Sequence, residues 1–405
     1  MKILYVTFSD PYSFPGVFRK EREFCRACNE FAGKTGNDFK GIDFVLVDGN
    51  EKKGLAVPGD SNPDYFSIKE VTSKKYMFFS HIKFIRRFFR IRPLFRAAYD
   101  EICLFNPEIV VFRYNNFSIP GMLNPKKVIK DCIFITEHQS KELSELPRFF
   151  IDRMFMYPFE KNKLKKYLAT VDGIIGVTSE IVSYHMELTN RMINSYVFTN
   201  GITVSNYPLK LVPAFTGDEL KILFVSSCIE PWHGLDRFLQ GIANYKGPVR
   251  IKLGIVATVP KYIEKLIKSL RIKDKVIIYG RKFGESLDEL FNEYHIALAS
   301  LAFHRVGLNH ASCLKVREYT ARGIPFLVSG IDDDILKQVD WCLQASSDDK
   351  PIGMEKVIAF ANRISCDFEK IKNEMRDYAF ERMDNKSKVE GLFGFFKKLI
   401  QERDI

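Results

Sequence analysis

At 405 residues and 46.9 kDa the chain is long enough for two ordinary domains. An apolar share of 46% against 27% charged residues excludes a disordered polypeptide, and no apolar run approaches the ~18 residues that cross a bilayer. Lysine and arginine outnumber aspartate and glutamate by 61 to 50, a formal charge of +11 that points to anionic partners without choosing among them.

Strand-type runs alternate with helical patterns along the chain, the rhythm of α/β folds built on parallel sheets. Residues 2–8 read as the first strand and residues 17–31 as the first helix. The opening apolar run is too short for a signal peptide and meets Ser9-Asp10-Pro11, so a cytoplasmic location is expected. Eight scattered cysteines fit reduced thiols. Cys25-x-x-Cys28 has no second pair and no nearby histidine, and reads as core packing.

A second strand is expected over 42–48. The stretch from Lys74 to Arg96 then carries eight basic residues, seven aromatic residues and no acid. Phe78, Ile82, Ile85 and Phe89 recur there at helical spacing, with Lys83, Arg86, Arg87 and Arg90 off that stripe. Strands follow over 109–112, 132–136, 173–177 and 196–199, with a helix over 164–171 and a turn at Asn200-Gly201. A second basic-aromatic stretch runs from Arg148 to Tyr167. Either stretch can pack its apolar stripe on a core with solvated charges, or meet an anionic membrane surface.

Pro208, Pro213 and Gly217 interrupt the periodicity, and a linker is expected over 205–219. A second α/β series follows, with strands over 221–225, 249–256, 276–279, 296–301 and 325–328. Helices intervene over 235–245, 262–270, 287–293 and 314–322, and residues 386–403 form an amphipathic helical pattern. The expected division is therefore an N-terminal domain at 1–204, the linker, a second domain at 220–385 and a C-terminal helix at 386–405.

No dinucleotide, P-loop, zinc-protease or nucleophile-elbow motif is present. Asp332-Asp333-Asp334 has the spacing of some metal-binding carboxylate pairs, but its position before Ile335-Leu336 favours capping of a helix N-terminus. The informative region is 298–330, where a strand gives way to a polar loop, a short helix beginning near Leu314, then Gly323-Ile324-Pro325 and another strand. A loop feeding a helix N-terminus offers N–H groups and a positive dipole to a phosphate. Lys315 adds a cation on the same side, and Glu318 can accept hydrogen bonds from vicinal ribose hydroxyls.

Glu318-Tyr319-Thr320-Ala321-Arg322-Gly323-Ile324-Pro325 resembles the E-A-x-A-x-G-x-P pattern of retaining GT-B glycosyltransferases, particularly the large group 1 (family 4) set. Residues 221–225 with Pro231-Trp232-His233-Gly234-Leu235-Asp236 are similar to that family's opening strand and K-G-[LV]-[DE] segment. Asp172-Gly173-Ile174-Ile175-Gly176-Val177-Thr178-Ser179 and Asn200-Gly201-Ile202 resemble two further segments in the family's order. The resemblance implies two Rossmann-like α/β domains facing a cleft, the N-terminal one for the acceptor and the C-terminal one for a nucleotide-sugar donor. It implies ribose binding by Glu318 and diphosphate contact at Lys315 and Val316. Ser227 and His233 stand where the family carries cations, and Arg281 lies where the base is expected. His310 replaces the family's first acid, eight positions before Glu318. Glu137 and His138 fall at the strand end that approaches the donor sugar, and Gly16 falls in the loop near donor and acceptor. His138, Glu137 and His310 are thus the expected catalytic positions.

The implied activity is sugar transfer with retention of configuration to a glycan or lipid-linked glycan, in surface-polysaccharide synthesis, with no obligatory metal or cofactor. A peripheral position on the inner face of the cell membrane is expected through the two basic-aromatic stretches, with no nucleic-acid partner. The alternatives are a nucleotide-sugar epimerase of the same fold and a non-catalytic basic adaptor on membranes.

Overall fold

The computed structural model describes residues 1–8, 15–48, 65–73, 83–114, 123–145, 150–211, 214–335 and 339–403. The chain forms two compact units, one of Met1–Phe198 with Lys388–Ile405, the other of Thr199–Ser387. Both are parallel α/β sheets with the doubly wound strand order, as the alternating strand and helix patterns predict.

Unit 1 holds seven strands in the order β3-β2-β1-β4-β5-β6-β7: β1 (Lys2–Thr7), β2 (Asp38–Asp48), β3 (Phe66–Ser73), β4 (Ile109–Arg113), β5 (Ile133–His138), β6 (Gly173–Gly176) and β7 (Asn194–Val197). Its helices are α1 (Pro15–Lys34), α2 (Lys83–Phe105), α3 (Phe150–Leu168) and α4 (Ser179–Thr189). Alternation along β1 feeds two cores: Leu4 and Val6 pack with Phe44, Phe112 and Phe134, while Ile3 and Tyr5 pack with Val111 and Ile135. The second core contains Cys25 and Cys28 of α1, so the C-x-x-C pair is packing.

Unit 2 holds six strands in the order β10-β9-β8-β11-β12-β13: β8 (Glu219–Cys228), β9 (Arg250–Thr258), β10 (Val276–Ile278), β11 (Ile296–Leu298), β12 (Phe326–Ser329) and β13 (Cys342–Ala345). Around it lie α5 (Leu235–Asn244), α6 (Lys261–Ser269), α7 (Glu285–Glu293), α8 (Leu314–Arg322), α9 (Met354–Cys366) and α10 (Phe368–Tyr378). The last helix is α11 (Asn385–Arg403).

Two boundaries differ from the sequence reading. Residues 205–219 are not a free linker: Tyr207 and Phe215 are buried, and the Lys210 N–H donates to the Arg322 carbonyl at 2.8 Å. From Lys388 onward the C-terminal segment belongs to unit 1, where Val389, Leu392, Phe393, Phe396 and Leu399 join the core that contains α1. In each case apolar side chains joined a buried cluster of the neighbouring fold.

Candidate active site

In sheets of this order ligands bind beyond the carboxyl ends of the strands where the order reverses, which in unit 2 is between β8 and β11. The chain leaves β8 through a 3-10 turn at Pro231–His233 and enters α5 at Leu235. Gly234 makes the join at φ 63°, and an added Cβ would lie 3.0 Å from the Leu301 backbone carbon. Both the left-handed conformation and the close approach require glycine. Ser227 is exposed at the end of β8, at a break in register between Val225 and Cys228.

His233 is buried beside Phe224 and Trp232, with ring centroids 5.5 and 5.8 Å away. Its Nδ1 accepts the Glu230 backbone N–H at 3.0 Å, which leaves the ring proton on Nε2. Burial, then the Lys315 ammonium, lowers its pKa to about 2, so His233 is a neutral N–H donor at physiological pH. The facing helix, α8, begins after Cys313, which supplies no side-chain cap. Lys315 Nζ stands 4.9 Å from the Phe224 ring centroid, and burial lowers its pKa to about 8. The fold thus brings together the end of β8, the turn at His233 and the first turn of α8.

Glu318, one turn further along α8, accepts the Arg322 Nε–H at 3.0 Å. Arg322 also pairs with Asp288 at 2.5 Å and lies 4.4 Å from the Phe291 centroid. The Val316 side chain faces the core. His310 Nδ1 lies 2.6 Å from Asp333, so the residue standing for the family's first acid is itself coupled to a carboxylate. Arg281 stands apart: it is exposed after the edge strand β10, its guanidinium 5.2 Å from the Phe283 ring, with β9 between β10 and β8.

The aspartate triplet is tied into an ion-pair network, and the helix it is expected to cap falls on residues outside those described. Arg317, fully buried, binds both oxygens of Asp332, pairs with Asp334 at 2.5 Å and donates from Nε to the Asn200 carbonyl at 2.8 Å. Burial opposes the Arg317 charge, but the two carboxylates outweigh it and hold its pKa above the usual range. Thr199 donates to Asp334 at 2.7 Å. The carboxylates therefore fix the floor beneath α8, with residues 336–338 outside the described residues. Sequence reading passed over Arg317 because an arginine between Val316 and Glu318 looks like a solvated helix position; three adjacent acids needing a cation were the available signal. Arg305 was also missed. It binds both Asp236 oxygens at 2.9 and 2.8 Å and bridges to Asp349, bracing the turn that carries His233.

In unit 1, Glu137 and His138 end β5, and both are buried. Glu137 accepts from Tyr5 Oη at 2.7 Å and from Gln139, whose Oε1 accepts from Lys20 Nζ at 2.9 Å. Burial lowers the Lys20 pKa to about 7. His138 is fully buried, its Nδ1 2.7 Å from Glu142 and its Nε2 3.0 Å from Thr136 Oγ1. Burial, then the nearby His185, lowers the His138 pKa. With both ring nitrogens engaged inside unit 1, His138 offers no open donor for a sugar in this conformation. Gly16 is exposed near the start of α1, and an added Cβ there would meet nothing within 4 Å. The adjoining residues 9–14 lie outside the described residues.

The basic-aromatic stretches are described in part. Residues 74–82 and 146–149 lie outside the described residues, as do the side chains of 83–91 and 150–156. In the remainder of α2, Leu94, Phe95, Ala98 and Ile102 are core, while Arg92 and Arg96 are exposed. In α3, Leu164 and Tyr167 are core, whereas Phe159, Lys161, Lys165 and Lys166 are exposed. Among the described residues no helix is long and apolar enough to cross a membrane.

No protein-family model and no curated protein sequence matches the chain. Solved structures do. Sucrose-phosphate synthase from Thermosynechococcus elongatus superposes with a TM-score of 0.68 at 12% identity, over 99% of this chain and 100% of that one. The lipopolysaccharide outer core galactosyltransferase WaaB gives 0.60 at 15% identity, over 100% of both chains. Anabaena HepE, in complex with UDP-glucose, gives 0.58 at 12% identity over 99% of both. At these identities the likeness establishes the fold, the two-domain α/β architecture of GT-B glycosyltransferases.

Proposed function

We propose that the chain is a glycosyltransferase that moves a sugar from a nucleotide-sugar donor to a glycan or lipid-linked glycan with retention of configuration. The observation that carries this reading is the meeting of Lys315, the uncapped start of α8 and the neutral N–H of His233 at the switch point of unit 2. When the glycosidic bond of a nucleotide sugar breaks, negative charge grows on the departing diphosphate. A helix N-terminus, an ammonium and an N–H donor aimed at one place stabilise that charge where it develops. Glu318 holds the ribose hydroxyls in this reading and Ser227 lines the phosphate path, whereas Val316, with its side chain in the core and its N–H bonded to the Cys313 carbonyl, supports the start of α8 from beneath. His310, coupled to Asp333, orients the loop that faces the sugar.

Unit 1 binds the acceptor in this reading, with Gly16 in the first turn of α1 among its contacts. Glu137 and His138 act from the end of β5 as positioning residues, since their partners lie within unit 1. A surface-polysaccharide acceptor is favoured by the likeness to a lipopolysaccharide galactosyltransferase. The exposed Phe159 with Lys161, Lys165 and Lys166 supports docking on the anionic inner face of the membrane, beside a lipid-linked acceptor.

A thermal-shift panel of nucleoside diphosphates and nucleotide sugars tests the donor. A ligand of the folded state raises Tm by mass action, so one nucleotide should stand out. Product analysis with that donor then separates transfer from epimerisation, which would yield an altered free nucleotide sugar. No response to any nucleotide sugar would overturn the reading.

A further inference from the structure

His138 ends β5, Glu142 begins the 3-10 turn that follows, and His185 projects from α4; their relative exposures are 0%, 3% and 0%. His138 Nδ1 lies 2.7 Å from one Glu142 oxygen, and His185 Nε2 lies 2.8 Å from the other. A nitrogen from each ring and a carboxylate oxygen all fall within 4.8 Å of one another. Two imidazoles and one carboxylate make up a zinc ligand set, with a fourth position left for water.

The outer ring nitrogens strengthen the case. His185 Nδ1 lies 2.7 Å from the Ile181 carbonyl oxygen, which only accepts, so Nδ1 carries a proton and Nε2 is aimed at Glu142. His138 Nε2 lies 3.0 Å from Thr136 Oγ1, a hydroxyl able to accept a ring N–H. Hydrogen bonds of this kind from the far nitrogen fix the tautomer and orientation of metal-bound histidines. Glu142 thus bridges the two buried rings, one carboxylate oxygen to each, inside unit 1. A divalent ion replaces these inner contacts with direct bonds and leaves the outer hydrogen bonds in place.

The geometry points to a buried site for a first-row divalent cation, zinc above all, held by His138, Glu142 and His185. Ligands at zinc bond lengths of ~2.0–2.1 Å stand about 3.3 Å apart in a tetrahedral site, so the two hydrogen-bonded pairs open by roughly half an ångström on binding. The ion cross-links the end of β5, the turn after it and α4. It serves unit 1 as a clamp, and the site does not depend on which reaction the chain catalyses.

The full-length protein, stripped with a chelator, incubated with excess Zn²⁺ and desalted, is expected to retain about one zinc per chain by elemental analysis. Its Tm should rise by several degrees with Zn²⁺ and fall back on chelation. Co²⁺ in place of zinc should give the visible absorption bands of a four-coordinate nitrogen and oxygen site. His185→Gln and Glu142→Gln should each lower retained zinc about tenfold or more and remove the Co²⁺ bands. If those variants do not fold, the wild-type Co²⁺ spectrum decides alone. Wild-type protein that keeps no more zinc than a folded variant, or that shows no Co²⁺ bands, overturns the site and leaves a hydrogen-bonded cluster.

Discussion

The ammonium of Lys315 stands 4.9 Å from the centroid of the Phe224 ring, and that same ring packs against the neutral imidazole of His233. A strand residue thereby holds a cation from α8 beside a donor from the turn after β8. The arrangement weakens the cation's hydration, which is why its pKa falls to about 8. A charge held at such a cost is well placed to gain from an anionic ligand.

Lys315→Met should therefore stabilise the free protein while abolishing most of its diphosphate affinity. Allowing for the partial exposure of the side chain, the gain is on the order of 1 kcal/mol at neutral pH. The sign of the pH dependence follows from a folded pKa of about 8 against 10.5 for the unperturbed group. Between those values the unfolded chain keeps a proton that the folded chain has released, so wild-type stability rises with pH across the window. Urea melts at pH 7, 9 and 10.5 should show that rise in the wild type and its absence in the variant. A destabilised variant with unchanged nucleotide affinity would remove Lys315 from the site.

Glu318→Gln should weaken binding of the preferred nucleoside diphosphate and leave the fold intact. A carboxylate accepts ribose hydroxyls through charge-assisted hydrogen bonds about twice as strong as neutral ones, and loss of one such interaction is worth about 10-fold in Kd. Arg322 retains Asp288 as a partner, so the helix keeps its anchor. Isothermal titration with the nucleotide found in the thermal-shift panel measures the effect. Equal affinities for wild type and variant would take Glu318 out of the ribose pocket.

Arg317→Leu is expected to be among the most damaging single changes in unit 2. It would leave Asp332, which is 4% exposed, and Asp334 facing each other without their cation. Removing one partner of a buried ion pair costs about 3–5 kcal/mol. Chemical denaturation should show that loss, with Asp332→Asn costing less because Arg317 keeps Asp334. A change below about 1 kcal/mol for Arg317→Leu would mean that water reaches the pair.

Membrane docking can be read from vesicles. Wild-type protein should co-sediment with liposomes rich in anionic lipid and stay in solution with neutral ones. Lys161, Lys165 and Lys166 are exposed on α3 beside Phe159, and each basic residue at an anionic surface is worth about 1 kcal/mol. Replacing the three by Glu should weaken binding by about 100-fold or more, with Arg86→Glu, Arg87→Glu and Arg90→Glu as the matching test in α2. Indifference to lipid charge in both folded variants would restrict these residues to solvation.

The sequence determined the architecture and the nucleotide half of the proposed site. Parallel strands buried on both faces must be apolar throughout, as in residues 3–6 and 222–224, so each of them announces itself locally. The loop and helix at 313–323 are equally local, because a helix N-terminus, Lys315 and Glu318 lie within one short stretch. Tertiary structure alone decided the rest. The buried and half-buried charges pair across the chain: Arg317 with Asp332 and Asp334, Arg305 with Asp236, and Glu142 with His185. Composition shows that such charges exist but not which of them are desolvated together, and in a buried setting only the partner decides whether a charge is tolerated. For the same reason α11 joined unit 1. An amphipathic helix declares that it needs an apolar surface, and the fold of the whole chain determines which surface is left for it to cover.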